Sequence, residues 1–562
     1  MKKHITLLLL ILLLPCFSCA EPSETDIIDE DENKTPVILN VPFSKGVNLS
    51  NWFLADREDD IYKQKYTKKD FEDIKSLGID VIRLPIRFYK IAGNAPDYLL
   101  NQSFFDKLDY ALDLAEQTGI NIILDNHSYF GSNPFPAQYG EEQLTKIWQQ
   151  VALHCKERSD LVYYELYNEP DGNYMRNNWG EMQGRLIDAI RKIDTRHTII
   201  VGGYDANSPG TLKDLPVYDD DNLIYTFHFY EPFLFTHQAS DWTLLENVSD
   251  IPFPYQSDKM PECPPELIGT GEWGDRLFID YPTKGTVAAV KNSIDQAVSF
   301  SKSKNVPVFC GEFGVHMYGV DNDQRCFWYK TVYDYFEAND IPWTMWDYHN
   351  SFGLFKEGGS YRFEYDLNVP LLEALNLNIP QSYISGEKPS IVFYDDNIAH
   401  GMKDASWGGG EINFEDTTSP SEGEKSIFWK VGSEWSAIVF EIWPTINIEE
   451  QFTAGQALNF DIKCSSQVNM QIRFVEYQDD SQPWRNTFLL TDDMVANDGS
   501  WTSISIPLDS FEETGAWDDI YYEPQDLFNW KYINKLEFAI EGNEDMIDAE
   551  IGIDNVTIKK SE

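Results

Sequence analysis

The sequence predicts an α/β fold, a closed (β/α)8 TIM barrel, followed by an all-β, jelly-roll-like sandwich. Two patterns support this prediction. From about residue 43 to 378, short continuous apolar runs alternate with amphipathic stretches of helical periodicity. After about residue 386, apolar and polar residues alternate at every second position, with Asn, Asp and Gly between the runs. The first pattern is typical of parallel strands covered on both faces, and the second of strands with one buried face.

Eight β/α units are what a closed barrel of this class requires. The predicted strands are Gly46–Asn51, Asp80–Ile86, Asn121–His127, Leu161–Glu169, Thr198–Gly203, Leu223–Tyr230, Pro307–Gly314 and Pro342–Tyr348. Between the second and third strands, Phe104–Thr118 carries apolar residues three and four positions apart, which indicates a helix. The structural alternative is an open doubly wound sheet. That fold binds a nucleotide through a Gly-rich first turn, and the first strand here is followed by none.

The second pattern predicts the strands of the sandwich. They are Ala457–Cys464, Asn469–Val475, Trp501–Leu508, Lys535–Ile540 and Glu550–Ile558. The change of pattern falls near the Gly- and Pro-containing segment 386–389. We therefore expect the barrel to occupy residues 40–385 and the sandwich residues 386–562.

Composition and charge exclude several classes of protein. The 562 residues include 44 Lys and Arg against 93 Asp and Glu, a formal net charge of −49, and 42% are hydrophobic. Such a composition folds, which excludes wholesale disorder. The negative charge argues against nucleic acid as a partner, since that needs a basic face. An aromatic, acidic chain suits a neutral ligand with flat apolar faces, such as a sugar, although charge alone names no substrate.

The N-terminus has the form of an export signal. Lys2 and Lys3 precede the apolar run Ile5–Leu14, which is too short to cross a bilayer. The segment that follows the run ends at Cys19, directly after the small residue Ser18, as at a bacterial lipoprotein cleavage site. We expect residues 1–19 to be a lipoprotein signal peptide with Cys19 lipidated, and the acidic residues 20–39 to be a linker. The protein would then be anchored at the outer membrane, on the cell surface or in the periplasm. Ordinary secretion is the alternative.

Two glutamates fall at the ends of predicted barrel strands, where barrels of this class place their chemistry. Strand four ends at Glu169 and strand seven carries Glu312. Paired carboxyl groups suit glycoside hydrolysis, which needs a proton donor and either a nucleophile or an activated water. Arg83 is a charge within an apolar strand, and we expect it to point inward beside one carboxylate.

At these positions the sequence resembles glycoside hydrolase family 5, a retaining family that includes many endoglucanases and mannanases. The resemblance covers about residues 43–378, and the segment Val162–Asp171 fits the family signature at every position. Eight residues match the family's active-site set, with no departure. They are Arg83, His127, Asn168, Glu169, His228, Tyr230, Glu312 and Trp346.

The resemblance implies a role for each of the eight. Glu312 would be the nucleophile, and Glu169 the proton donor and later the base. Arg83 and Tyr230 would orient Glu312, and Asn168 would bond the sugar 2-hydroxyl. His228 would hydrogen-bond near Glu169. His127 and Trp346 would line the site of the cleaved sugar, the tryptophan by offering an apolar face.

Further residues are weaker candidates. Trp242 and Trp273 lie in a loop of 55 residues, 231–285, and would stack on sugars or pack within the loop. Trp52 and His349 are candidates for the wall of the cleft. The sandwich resembles carbohydrate-binding modules of galactose-binding-like fold, with a structural appendage as the alternative. Such folds often hold a structural Ca²⁺, for which Asp395 and Asp554 are the candidate ligands.

We therefore predict a retaining endo-β-glycanase that acts on a β-1,4-linked polysaccharide, most simply a β-glucan. The alternatives are an endo-β-mannanase or other β-glycanase and, from another class, a non-catalytic surface glycan-binding lipoprotein. The reaction needs no cofactor, and no metal is expected at the active site. The polysaccharide is the expected partner, with no nucleic acid and with the membrane contacted only through the lipid anchor. The sequence does not determine the oligomeric state, and we expect a monomer.

Overall fold

We describe the protein from a computed structural model. The described residues are 41–128, 137–359, 361–385, 390–464, 466–478, 482–518 and 520–560. The predicted signal peptide, the linker and the boundary segment 386–389 lie outside these residues, so they stay predictions. None of the helices in the described part of the chain combines the length and apolar character that crossing a bilayer requires.

Eight parallel strands form a closed barrel, which confirms the predicted fold class. The strands are β1 (Lys45–Asn48), β2 (Val81–Ile86), β3 (Asn121–Asn126), β4 (Val162–Glu165), β5 (Ile199–Gly202), β6 (Leu223–Phe229), β7 (Val308–Phe313) and β8 (Trp343–Met345). Each strand pairs with the next in the chain, and β8 closes the barrel against β1, with Gly46 opposite Thr344. Nearly all of their residues are buried, as the continuous apolar runs predicted.

Helices connect the strands and cover the barrel. They are α1 (Lys68–Ser76), α2 (Phe88–Ile91), α3 (Gln102–Thr118), α4 (Ala137–Cys155), α5 (Gly172–Arg191), α6 (Phe233–Thr236), α7 (Asp275–Lys284), α8 (Val287–Lys304), α9 (Asn322–Glu337), α10 (Val369–Ala374) and α11 (Gln381–Ser385). Helix α3 shows why these segments are helical. The Asn101 side chain accepts a hydrogen bond from the Phe104 backbone amide at its start. At its end Gly119 adopts the left-handed conformation, with φ of 65°.

An apolar layer closes the N-terminal end of the barrel. Phe43 lies edge-on to Tyr163 and Phe309, with ring centroids 5.3 and 5.4 Å apart. These rings pack with buried aliphatic residues from the starts of the neighbouring strands, among them Val81 and Ile123. Glu312 and the bend that carries Glu169 lie at the opposite end, where the strands finish.

Strand β4 is shorter than the sequence pattern indicated. It ends at Glu165, so Asn168 and Glu169 lie in the bend that follows instead of in the strand. The apolar residues Leu166 and Tyr167 are buried although they are outside the strand, which is why the pattern appeared to continue. The bend places Glu169 at the mouth of the barrel and leaves its side chain partly open to solvent.

The C-terminal part is an all-β domain of two antiparallel sheets, as predicted. The strands are β9 (Ile391–Asp395), β10 (Asn397–Ile398), β11 (Met402–Asp404), β12 (Gly410–Asp416), β13 (Ser426–Val431), β14 (Trp435–Ile446), β15 (Ala457–Cys464), β16 (Met470–Glu476), β17 (Trp484–Leu490), β18 (Trp501–Pro507), β19 (Glu512–Asp518), β20 (Ile520–Tyr522), β21 (Ile533–Glu541) and β22 (Glu550–Lys559). Helix α12 (Glu449–Thr453) precedes β15. One sheet has the order β10-β9-β22-β13-β12, with β15 between β22 and β18, and the other β11-β14-β21-β16-β17-β19-β20.

The sandwich is attached to loops at the C-terminal ends of the barrel strands. His400, between β10 and β11, stacks on His349, which follows β8, with ring centroids 4.4 Å apart and planes at 18°. Nδ1 of His400 lies 2.8 Å from the carbonyl oxygen of Lys65, which is in the loop after β1. Arg362 donates from Nη2 to the carbonyl oxygen of Gly401 (3.2 Å). Two barrel loops therefore hold the start of the sandwich.

Replacing His400 tests this attachment. We expect His400→Ala to lower the free energy of unfolding by about 1–3 kcal/mol, because it removes a stacked ring and leaves the Lys65 carbonyl unpaired. Calorimetry should also show the barrel and sandwich transitions separating. Lys403→Ala is the control, since Lys403 pairs with Glu441 at the surface, and such pairs contribute little. Equal effects of the two variants would contradict the assigned attachment.

Candidate active site

Two glutamates meet at the C-terminal end of the barrel. Glu312 lies on β7, and its side chain is 5% exposed, whereas Glu169 follows β4, and its side chain is 33% exposed. One oxygen from each carboxyl group and one ring nitrogen of His228 on β6 all lie within 4.8 Å of one another. The site therefore combines an enclosed carboxyl group with one that is open to the cleft.

Arg83 on β2 is fully buried and binds the enclosed glutamate. Its Nη1 donates to Glu312 Oε1 (2.7 Å) and to Asn48 Oδ1 (2.9 Å). Its Nε and Nη2 donate to the two oxygens of Glu165 (2.7 and 2.8 Å), and Nη2 also donates to Asn168 Oδ1 (2.8 Å). Burial opposes the charge, but the surrounding carboxylates hold the pKa of Arg83 well above its usual value. The guanidinium thus fixes side chains from three other parts of the barrel.

Tyr230 and His228 complete the surroundings of Glu312. The Tyr230 hydroxyl donates to Glu312 Oε2 (2.9 Å), and burial raises the pKa of this tyrosine well above its usual value, so it stays protonated. His228 Nδ1 lies 3.5 Å from Glu312 Oε2. Burial lowers the pKa of His228 to about 4, so the imidazole is neutral near pH 7. Both oxygens of Glu312 accept hydrogen bonds, and its position is defined from two sides.

Glu169 has a different environment. Its Oε1 lies 2.8 Å from Nδ1 of His228. Burial is the largest influence on its pKa and raises it above the usual value. A carboxyl group that keeps its proton to higher pH suits a proton donor. The surroundings of Glu169 therefore suit a proton donor, whereas those of Glu312 hold its two oxygens in place by hydrogen bonds.

His127 and Trp346 form a flat surface beside the glutamates. Their rings are stacked, with centroids 5.5 Å apart and planes at 17°. Nδ1 of His127 lies 2.7 Å from Oδ2 of Asp125, and burial lowers the pKa of His127 to about 4. Trp346 follows β8 and is partly exposed. An uncharged aromatic surface of this kind suits the apolar face of a pyranose ring.

The long loop after β6 carries two exposed tryptophans. The exposed fractions are 58% for Trp242 and 61% for Trp273. Trp273 lies edge-on to Phe233, and Phe233 stacks on His237 with centroids 4.0 Å apart. The His237 ring is 5.2 Å from that of Tyr230. Aromatic contacts thus connect Trp273 to the site, and both tryptophans are open to solvent, as stacking on a sugar requires.

The prediction that Trp52 and His349 form the wall of the cleft is wrong, because both side chains are buried. Trp52 is 2% exposed, and its indole donates to the carbonyl oxygen of Tyr62 (3.0 Å). His349 is 4% exposed and stacks on His400 at the junction with the sandwich. Each packs against several other aromatic rings.

Sequence reasoning misses three buried carboxyl groups next to the site. Asp125 on β3, Glu165 on β4 and Asp347 after β8 are at most 1% exposed. Asp347 accepts a hydrogen bond from the Ser50 hydroxyl, and burial raises the pKa of Asp347 well above its usual value. The available signal was a charged residue within or directly after an apolar strand, and a charge in an apolar strand is also what identified Arg83.

Possible metal positions are limited in the described part of the chain. Glu169, His228 and Glu312 are the one group of three acidic, His or Cys side chains there that could share an ion. The Ca²⁺ suggested for Asp395 and Asp554 stays a prediction. Asp554 is buried and accepts from the Ser421 backbone amide (2.8 Å), whereas Asp395 is exposed at the end of β9.

The chain matches two protein families. Residues 31–352 match the family described as cellulase, glycosyl hydrolase family 5. Residues 390–560 match carbohydrate binding domain 30. The first match covers more than half of the chain and includes all eight strands of the barrel.

Individual proteins show the same likeness. The chain is 30% identical over 335 residues to endoglucanase 3 of Fibrobacter succinogenes, which covers 56% of this chain and 51% of that protein. It therefore spans about half of that relative. It is 26% identical over 328 residues to endoglucanase C of Acetivibrio thermocellus, covering 55% of this chain and 92% of that one. The crystal structure of endoglucanase Cel5A from Thermotoga maritima superimposes with a TM-score of 0.50 and 25% identity, covering 60% and 98% of the two chains.

The barrel, the paired carboxyl groups and the extent of the family match all point to the same family. The domain that follows is the carbohydrate-binding domain of the second match. The chain belongs to glycosyl hydrolase family 5.

Proposed function

We propose that this protein is a retaining endo-β-1,4-glucanase that hydrolyses a β-glucan by double displacement. The observation that carries the proposal is the separation of the two carboxyl groups, since one oxygen of Glu169 lies within 4.8 Å of one oxygen of Glu312. Retaining glycosidases keep their carboxyl groups about 5–5.5 Å apart, whereas inverting enzymes leave about 6.5–9.5 Å for a water molecule. The relatives named endoglucanases support a β-glucan over a mannan as the substrate.

In the first displacement, a carboxylate oxygen of Glu312 attacks the anomeric carbon. The bond from that carbon to the leaving oxygen breaks, and Glu169 donates its proton to this oxygen. The product is a glycosyl-enzyme ester at Glu312 and a shortened glucan with a free hydroxyl group. Glu312 needs no reorientation during this step, because Arg83 and Tyr230 already fix its two oxygens.

In the second displacement, water attacks the same carbon from the opposite face. Glu169, now ionised, takes a proton from the water as the ester bond to Glu312 breaks. His228 supports both states of Glu169, since it is a neutral imidazole 2.8 Å from its carboxyl group. Asn168, held by Arg83, would bond the sugar 2-hydroxyl, and Trp346 with His127 would carry the sugar ring.

A non-catalytic glycan-binding protein is the rival from another class. Such a protein has no reason to keep both carboxyl groups in reacting positions with a buried arginine on one of them. The carbohydrate-binding domain adds to catalysis instead of replacing it. It is fixed to the loops after β1 and β8, so a polysaccharide held there stays beside the cleft.

Separate variants of the two glutamates test the mechanism. Glu169→Ala should lower kcat on polymer by about 10²–10⁴-fold. An aryl glycoside whose leaving group needs no proton should still form the glycosyl-enzyme in this variant and release a burst of phenol. Glu312→Gln should abolish both reactions, because amide nitrogen and oxygen cannot replace the carboxylate nucleophile.

The measurement is reducing-end release from glucans, mixed-linkage glucan, xyloglucan and mannan. Glu272→Gln is the matched control, since it makes the same chemical change at an exposed position of the long loop. Full activity of Glu312→Gln would show that Glu312 is not the nucleophile. Activity on mannan alone would show that the substrate is a mannan and not a β-glucan.

We also propose that Cys19 carries a lipid that anchors the protein at the outer membrane, on the cell surface or in the periplasm. The support is the sequence motif alone, a charged start, a short apolar run and a cysteine after a small residue. We expect Cys19→Ser to move the protein from the membrane fraction to the soluble fraction. Retention of the variant in membranes would contradict lipid anchoring.

A further inference from the structure

Three buried carboxyl groups share one guanidinium in the wall of the barrel. Asp125, Glu165 and Glu312 approach the nitrogens of Arg83 to 3.0, 2.7 and 2.7 Å. Their side chains are 0%, 0% and 5% exposed. Three negative charges against one positive charge would leave a net charge among buried side chains, which is costly. One of these carboxyl groups is expected to keep a proton.

The hydrogen bonds of Arg83 indicate which of the three carboxyl groups keeps a proton. A guanidinium has five N–H groups. Two of them bond Glu165, one bonds Asn168, one bonds Glu312 and one bonds Asn48. None is left for Asp125, although its Oδ2 is 3.0 Å from Nη2. Asp125 is therefore close to the positive charge without receiving a hydrogen bond from it.

The other contacts of Asp125 lead to the same conclusion. Its Oδ2 lies 2.7 Å from Nδ1 of His127. Its Oδ1 is buried and has no hydrogen-bond partner among the described residues. An ionised carboxylate needs donors at both oxygens, and this one finds at most one. Burial raises the pKa of Asp125 to about 7, with a smaller contribution from Glu169 and although the charge of Arg83 lowers it.

We propose that Asp125 is protonated in the working enzyme and donates its proton from Oδ2 to Nδ1 of His127, so that His127 turns an Nε2–H group toward the sugar. A proton on Oδ1 would meet no acceptor, whereas a proton on Oδ2 is used in the contact with His127. His127 is neutral, so its single proton must then be on Nε2. That atom is the remaining polar atom of a ring that is 19% exposed and lies on Trp346.

The inference specifies how the substrate is recognised, and in this respect it rests on the proposed function. With Asp125 protonated, His127 is a hydrogen-bond donor and selects an acceptor oxygen on the sugar. With Asp125 ionised, the contact would require Nδ1–H, and Nε2 would become an acceptor. Asp125 does not touch the sugar itself, so it is a positioning residue that acts through His127.

Several charged or titratable groups surround Asp125 and set its protonation. Arg83 on β2 and His127 after β3 contact it, Arg83 lowers its pKa and Glu169 raises it, and Glu165 and Glu312 share the same guanidinium. An acid whose folded pKa lies above its unfolded value binds a proton on folding, so stability is lost as the pH rises between the two values. For Asp125 this window extends from about pH 4, the unfolded value, to about 7.

The first test compares the unfolding of the full chain and of Asp125→Asn in urea between pH 4 and 8. The amide is uncharged at every pH and can donate to His127 as the protonated acid does. The ratio of unfolding constants of wild type to variant should therefore rise by up to about tenfold per pH unit within the window. Parallel curves would show that Asp125 is ionised when folded and would overturn the proposal.

Glu165→Gln is the matched control. It removes a charge from the same cluster but places an amide N–H group against the Arg83 donors, so we expect it to destabilise the protein at every pH. If Asp125→Asn also destabilises the protein by the same amount at every pH, the proposal is wrong.

The second test needs no change to Asp125. ¹⁵N spectra of histidine-labelled wild type at pH 6, with His127 assigned by comparison with His127→Gln, should show the proton on Nε2 and none on Nδ1. An Nδ1–H signal would overturn the proposal. Neither test depends on turnover, so failure of this inference is distinguishable from failure of the proposed activity.

Discussion

The buried guanidinium of Arg83 is the interaction on which the rest of the site depends. Its five N–H groups are committed to Asn48 on β1, Glu165 on β4, Asn168 after β4 and Glu312 on β7. The buried charge of Arg83 is tolerated only while these partners remain. Loss of one partner would therefore also weaken the positions of the others. The same network fixes the proposed nucleophile and leaves Glu169 outside it, free to exchange a proton. Catalytic preorganisation and the stability of the barrel therefore have one physical origin.

Contacts extend from this site to the second domain. The Tyr66 hydroxyl bonds both Asn51 (2.6 Å) and His349 (2.8 Å), and His349 stacks on His400 of the sandwich. The neighbouring Ser50 hydroxyl bonds Asp347, which directly follows the Trp346 surface. The carbohydrate-binding domain thus packs on the same loops that support the aromatic surface of His127 and Trp346. For an insoluble polymer, this arrangement keeps the binding domain and the cleft in a fixed relation.

Much of this could be predicted from the sequence, and the failures have physical causes. Continuous apolar runs identify strands buried on both faces, so all eight barrel strands were predicted, and strand ends led to Glu169 and Glu312. Apolar content cannot separate a buried loop from a strand, which is why the predicted β4 is too long. An aromatic residue in a sequence also does not show whether its ring faces a cleft or the core, and Trp52 is buried. The short and edge strands of the sandwich lack clear alternation. Asp125 was missed because its importance depends on the donors of Arg83, which only the fold brings together.

The central claim is that Glu169 and Glu312 act as a retaining pair at the mouth of a family 5 barrel. The most direct measurement is ¹H NMR of a soluble β-linked oligoglucoside during hydrolysis, recorded before the product mutarotates. Double displacement predicts that the β-anomer of the new reducing end appears first and that the α-anomer grows in later. First appearance of the α-anomer would mean a single displacement by water and would contradict the mechanism derived from the close carboxyl groups.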